Sequence, residues 1–228
     1  MRGKLIIIEA GDGSGKATQA GRLYERLEAE GRHVRKVEYP NYQSASSALI
    51  KMYLGGEFGS DPDSVNPFAA SAFYAVDRYA SFKKEWEAFY NEGGIVIADR
   101  YTTSNMVHQA VKIVDETERE NYLDWLWDLE FVKFGLPVPD CVFFLDMPPA
   151  YSRQLLQGRP NKSQEVSQDI HERDQEYLTR CYHNARSVAV KYGWHMIPCV
   201  RKNVLRDVAS IHEDIFRIVR SVICQETS

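Results

Sequence analysis

The sequence predicts an α/β fold: a central parallel sheet of about five strands, flanked on both faces by helices, with a lid segment. Three observations carry the prediction. Residues 5–8, 95–98 and 141–145 are short, wholly apolar runs, and strands of that kind are buried on both faces, because a half-wet strand would alternate. Tracts with helical periodicity separate these runs. A glycine-rich turn, residues 11–15, joins the first run to a helix without a linker.

The elements follow in order. Residues 4–8 form the first strand, and leucines at helical spacing mark a helix over 19–27 that Gly31 ends. A second strand, 33–39, stops at Pro40. Ala48, Leu49, Met52 and Tyr53 suit a short helix over 46–54, before the turn-rich 55–59. Residues 66–90 are one long helical tract rich in aromatics, with Phe73 as its core-facing ring. The third strand, 95–98, ends in Asp99-Arg100-Tyr101. Helices are expected over 116–134, 169–191 and 204–223, strands over 141–145 and 194–197. After a helical start at Tyr151, residues 153–170 read as a lid, because Gly158 to Ser163 is polar, basic and broken by proline.

With 228 residues the chain is long enough for one large domain and cramped for two. A net charge of −4, with basic and acidic residues interspersed, gives no surface for nucleic acid. Four scattered cysteines without a C-x-x-C pair read as buried, reduced thiols in a cytoplasmic protein. No apolar run is long enough to span a membrane, and no cleavable signal precedes the first strand.

The chemistry begins at Gly11-Asp12-Gly13-Ser14-Gly15-Lys16-Ala17-Thr18. Glycines let successive N–H groups converge on an anion, the helix dipole adds positive potential, and a lysine caps the outer phosphates. Lys16 is that lysine. Against the pattern G-x-x-x-x-G-K-[ST], Ala10 replaces the first glycine and Ala17 the hydroxyl that normally touches magnesium. Either Thr18 substitutes, or the metal is held by phosphates, waters and a distant carboxylate. Asp99 is a suitable carboxylate, and Arg100 can fork onto a phosphate, because ligands of such sheets sit at the carboxyl ends of the strands. Tyr74 and Arg78, four apart, share a helix face and offer a ring to stack on a base and a guanidinium for its edge. Arg159 and Lys162 could reach a transferring phosphoryl group from the lid.

These residues resemble the thymidylate kinases over nearly the whole chain. The resemblance rests on the phosphate loop with Thr18-Gln19, on Tyr39-Pro40, on Phe73-Tyr74 with Arg78, on Asp99-Arg100-Tyr101 with Ser104-Asn105, and on the segment 135–140. It implies a single P-loop kinase domain that transfers the γ-phosphoryl group of ATP to dTMP with Mg²⁺. Another acceptor, or a non-catalytic nucleotide binder, is the alternative. It further implies that Lys16 and the loop amides hold ATP and that Asp12 reaches the acceptor's 3′-hydroxyl. Tyr74 would stack on thymine, with Arg78 and Asn105 reading its edge. Arg100 would grip the acceptor phosphate with Tyr42, Asp99 would support the metal, and Asp169 and Glu172 would lie beside the nucleotide. Because the loop position that carries an arginine in some members is Gly13 here, the resemblance implies the type whose catalytic arginine is in the lid, with Arg159 in that role. His108 stands where members have a ring beside the sugar C2′, and Asn41 and Tyr42 replace an acid and a base frequent in some members. Members are usually homodimers, so a homodimer is expected.

Overall fold

The computed structural model describes residues 2–157 and 174–224. Five parallel strands, β1 (Lys4–Glu9), β2 (Val34–Glu38), β3 (Ile95–Asp99), β4 (Cys141–Asp146) and β5 (His195–Pro198), form one sheet in the order β2-β3-β1-β4-β5. In β1, Leu5, Ile6, Ile7 and Ile8 are all fully buried, and the alternation of side chains divides them between two layers. Ile6 and Ile8 join Ile97, Phe143 and Leu145 on one face, beneath α1 (Lys16–Ala29) and the C-terminal helix α9 (Val208–Cys224). On the other face Leu5 and Ile7 meet Val96, Ala98, Trp86 and Tyr90. Each such side chain contributes about 1.5–3 kcal/mol by leaving water, so the two-faced burial is what seats β1 at the centre.

The tract 66–90 is not one continuous helix. Asn66 caps α3 (Pro67–Ser81) by accepting from the amide of Ala69, and a π-helical turn, Phe82–Trp86, separates α3 from α4 (Glu87–Asn91). A second π turn, Asp128–Lys133, ends α6 (Glu116–Trp127). The short helix α2 (Ala48–Leu54) starts from a 3₁₀ turn. Phe73 is half-buried rather than in the main core; it packs, as Tyr74 does, on the small cluster Ile50, Tyr53, Leu54 and Ala70.

Three further departures from expectation have physical causes. Residues Thr102–His108 form a helix, α5, whose inward positions are largely polar and so give no apolar period. Val204 opens no helix: Val200–Arg201 (β6) and Val204–Leu205 (β7) pair as a hairpin across Lys202 and Asn203, both in the left-handed region at φ 51° and 60°, and α9 begins at Val208. Cys141, Cys181 and Cys199 are buried as expected, whereas Cys224 is exposed. The chain leaves β4 through α7 (Pro149–Gln157) and returns in α8 (Gln175–Lys191), where Asp174 caps by accepting from the amide of Tyr177. Among the described residues no helix is long and apolar enough to cross a membrane.

Candidate active site

The sheet order places the ends of β1 and β3 side by side, with Ile8 opposite Asp99. The chain turns out of β1 into the glycine loop and out of β3 into Arg100, whose amide donates to the carbonyl of Ile8. Both turns open on one cavity of about 380 Å³.

Gly13 and Gly15 hold φ of 75° and 87°, a conformation that side chains resist, and Gly15 sits at the start of α1. Ala10 has no such backbone, so a methyl group is tolerated where the pattern has glycine. A Cβ on Gly13 would lie 2.6 Å from Leu156 Cγ and 2.9 Å from the Ser152 carbonyl oxygen, so α7 rests directly on the loop. Lys16 Nζ donates to the Gly11 carbonyl at 2.9 Å and to Asp12 Oδ1 at 3.4 Å.

Arg100 leaves β3 at φ 70°, and its guanidinium contacts groups from two directions. Nη2 donates to Asp12 Oδ1, and Nη1 lies 3.5 Å from Glu9 Oε1 and 3.4 Å from both Ser104 Oγ and His108 Nε2. Glu9 is buried at the end of β1 and is satisfied by the Ala10 amide, Thr103 Oγ1 at 2.9 Å and Ser104 Oγ at 2.6 Å. The inward hydroxyls of α5 therefore have a purpose: they hold the carboxylate that backs Arg100. Burial alone would raise the Asp12 pKa, but the charges of Arg100 and Lys16 outweigh it and hold the carboxyl below the usual range. Lys16 moves the other way, its pKa lowered by burial and by the neighbouring Arg100 charge.

The far wall comes from α3 and α5. Arg78 is 1% exposed, and its guanidinium donates to Glu130 and to Asn105 Oδ1. Tyr74, Asn105 and His108 line the same wall, and the His108 carbonyl accepts from Tyr177 at 2.6 Å. Tyr42 lies at the mouth, half-exposed, while Tyr39 is buried, donating to Ser81 and accepting from Trp86.

The structure thus gathers around one cavity Asp12, Gly13, Gly15, Lys16, Ala17, Thr18, Tyr39, Tyr42, Tyr74, Arg78, Asp99, Arg100, Ser104, Asn105 and His108. Gly11 contributes its carbonyl to Lys16, and Ser14 is buried within the loop. Arg159, Lys162, Asp169 and Glu172 lie outside the described residues. Sequence reasoning missed Glu130 and Gln109. A glutamate in a helical tract reads as solvated, and nothing local marks Glu130 as buried. Gln109 follows His108 on the cavity wall, 1% exposed, and its Oε1 has no hydrogen-bond partner among the described residues.

For a divalent cation the fit is narrow. Ala17 offers no hydroxyl, Thr18 and Asp99 face the cavity, and the described residues hold no cluster of three or more His, Cys, Asp or Glu side chains able to bind a metal ion. Such a donor set suits an ion carried mainly by a ligand's own phosphates, with one carboxylate behind it.

A family model described as "Thymidylate kinase" matches residues 8–208. A thymidylate kinase of Mycobacterium tuberculosis is 31% identical over 177 residues, covering 77% of this chain and 81% of the relative. A probable thymidylate kinase of Pyrococcus horikoshii is 30% identical over 221 residues, 96% of this chain and 97% of its own. Among solved structures, the thymidylate kinase of Candida albicans superposes with a TM-score of 0.68 at 21% identity, covering 96% of this chain and 92% of that one, a likeness of fold.

Proposed function

The chain belongs to the thymidylate kinase family, and from that premise we propose how its residues carry the γ-phosphoryl group of ATP to dTMP, giving dTDP and ADP. The observation that carries the proposal is the convergence of Lys16 and Arg100, from adjacent strand ends, on one carboxylate, Asp12. Two cations held that close to one another suit a site that faces two polyanions at once.

The acceptor in this reaction is a phosphate oxygen, ionised at neutral pH, so no side chain need remove a proton. Catalysis then consists of alignment and charge neutralisation. The loop amides and Lys16 hold the ATP phosphates, and Arg100, backed by Glu9, holds the acceptor phosphate with Tyr42 beside it. Tyr74 stacks on the base. Arg78 and Asn105 read its edge. Asp12 turns to the sugar 3′-hydroxyl, and His108 lies against C2′. Asp99 would hold Mg²⁺ together with the nucleotide phosphates, and the ion would supply further neutralisation of their charge. Arg159 is assigned to complete the charge around the moving group, and Asp169 and Glu172 to the nucleotide, all three lying outside the described residues.

The same reading includes a homodimer in the cytoplasm. Val76 and Tyr79 of α3 and Trp127 of α6 are large apolar side chains left exposed, and burying them against a second copy would remove that surface from water.

A coupled ADP-release assay with dTMP, dUMP, dCMP and dGMP tests the activity. The highest kcat/KM is expected with dTMP; absence of turnover with every monophosphate, despite ATP binding, would refute it.

A further inference from the structure

Against the loop that follows β2 lies a buried carboxylate that the phosphoryl transfer does not use. Asp77, one turn after Tyr74 in α3, is 1% exposed. A carboxylate taken out of water needs donors for its oxygens. Here they come from one loop. Asp77 Oδ2 accepts from the backbone amide of Asn41 at 2.8 Å, and Oδ1 accepts from Ser46 Oγ at 2.6 Å.

The two contacts bracket Tyr42. The segment between them is tightly turned: the Tyr42 amide donates to the Pro40 carbonyl at 3.0 Å, and the Ser44 amide to the Asn41 carbonyl at 2.9 Å. Ser46 Oγ also lies 2.7 Å from Ser44 Oγ, which caps the 3₁₀ turn Ala45–Ser47 by accepting from the Ser46 amide. Asn41 has a further anchor, its Nδ2 donating to Glu85 Oε1 at 2.9 Å, so loss of Asp77 shifts the loop without releasing it. Between the ties the chain carries Tyr42 to the mouth of the cavity, where it shares the lining with Arg100 and lies within electrostatic reach of the guanidinium.

We propose that Asp77 is a positioning residue for the acceptor phosphate: by holding Asn41 and Ser46 it fixes the loop 41–46 against α3 and so keeps Tyr42 beside Arg100, where that phosphate is bound. The proposal rests on the assignment of the acceptor phosphate to Arg100. Asp77 acts through the loop and touches no reacting atom. Its effect is therefore confined to the phosphate end of the acceptor, since the base and sugar are met by other side chains. With the carboxylate gone, an amide and a hydroxyl lose their partner and turn to water, and Tyr42 moves with them.

The test is equilibrium binding of dTMP and of thymidine, which has the same base and sugar and no phosphate. In Asp77→Leu, which removes both acceptors and keeps a side chain of similar size, Kd for dTMP is expected to rise about tenfold while Kd for thymidine stays within about twofold. A merely structural role would weaken thymidine as well, because Tyr74 and Arg78 stand on the same helix. Asp77→Asn is expected to keep Kd for dTMP within about threefold of wild type: its oxygen can serve the Asn41 amide, and its NH₂ can donate to Ser46, whose hydroxyl accepts as well as donates. In a Tyr42→Ala background, Asp77→Leu is expected to add less than about twofold, the side chain it positions being gone. Should Asp77→Leu not fold, Ser46→Ala removes one tie from the loop side, and about a threefold rise in Kd for dTMP alone is expected. Equal weakening of dTMP and thymidine, no change in either variant, or a full tenfold loss without Tyr42 overturns the role of Asp77. A wild-type protein that binds dTMP no more tightly than thymidine overturns the placement of the acceptor phosphate at Arg100, and this proposal with it.

Discussion

Replacing Gly13 by alanine probes how closely α7 is seated on the phosphate loop. Two costs can be read from the structure. At φ 75° an L-residue is strained by roughly 1–2 kcal/mol relative to glycine. The new methyl would stand 2.9 Å from the Ser152 carbonyl oxygen and 2.6 Å from Leu156 Cγ. Leu156 is partly exposed and can swing aside, but the carbonyl is backbone, so α7 itself must shift, an overpacking penalty of about 1–3 kcal/mol. Together these give about 3 kcal/mol, and at roughly 2–4 °C per kcal/mol for a chain of this size Tm falls by about 6–12 °C. Thermal unfolding of Gly13→Ala, Leu156→Ala and the double variant measures it. The double variant should recover about 1 kcal/mol over the sum of the singles, because only the side-chain part of the clash is relieved. A loss under about 0.5 kcal/mol for Gly13→Ala, or full recovery in the double variant, would show that neither the backbone conformation nor α7 constrains this position. The same crowding bears on catalysis. An arginine at residue 13 would have to displace α7, so Gly13→Arg is expected to lose ATP affinity and gain no rate.

Other outcomes follow from the site. Arg159→Ala should lower kcat by about 10³ while ATP affinity changes little, and unchanged turnover would move the role to Arg153 or Lys162. Because Arg100 and Lys16 outweigh burial and depress the Asp12 pKa below its ordinary 3.8, its carboxylate adds stability that is present above pH 3.8 and lost as the pH falls below it. Asp12→Asn should accordingly be less stable than wild type at pH 7, with the gap narrowing below pH 3.8; a gap that does not vary with pH in chemical denaturation would contradict the pairing.

The parts of this molecule legible in its sequence are those whose signal is local. The apolar runs of β1, β3 and β4 announce burial on both faces by themselves, and Gly13, Gly15 and Lys16 declare the phosphate loop because backbone freedom and charge are needed within a few residues. The acidic and basic ends, Asp99 and Arg100, follow from the strand that delivers them. What escaped depends on partners far away in the chain. Thr103 and Ser104 turn inward only because Glu9 is there to receive their hydroxyls, so α5 carries no apolar stripe. Glu130 is buried only because Arg78, 52 residues earlier, meets it. The hairpin at Val200–Arg201 and Val204–Leu205 is two residues per strand, with Lys202-Asn203 at its turn in place of a glycine pair, so neither length nor turn chemistry marked it.

Asp12, paired with both Lys16 and Arg100, would let the proposed site tell anions apart by valence. Its oxygen already occupies the gap between an ammonium and a guanidinium, so a stray chloride or single phosphate that enters merely exchanges one negative partner for another and gains little. In the proposed reaction two nucleotides satisfy the two cations together, ATP at Lys16 and the acceptor phosphate at Arg100, which would release the carboxylate to a neutral hydroxyl. On that proposal, selectivity for a pair of polyanions over the abundant small ions of solution would rest on a single acidic residue, before any base or sugar is read.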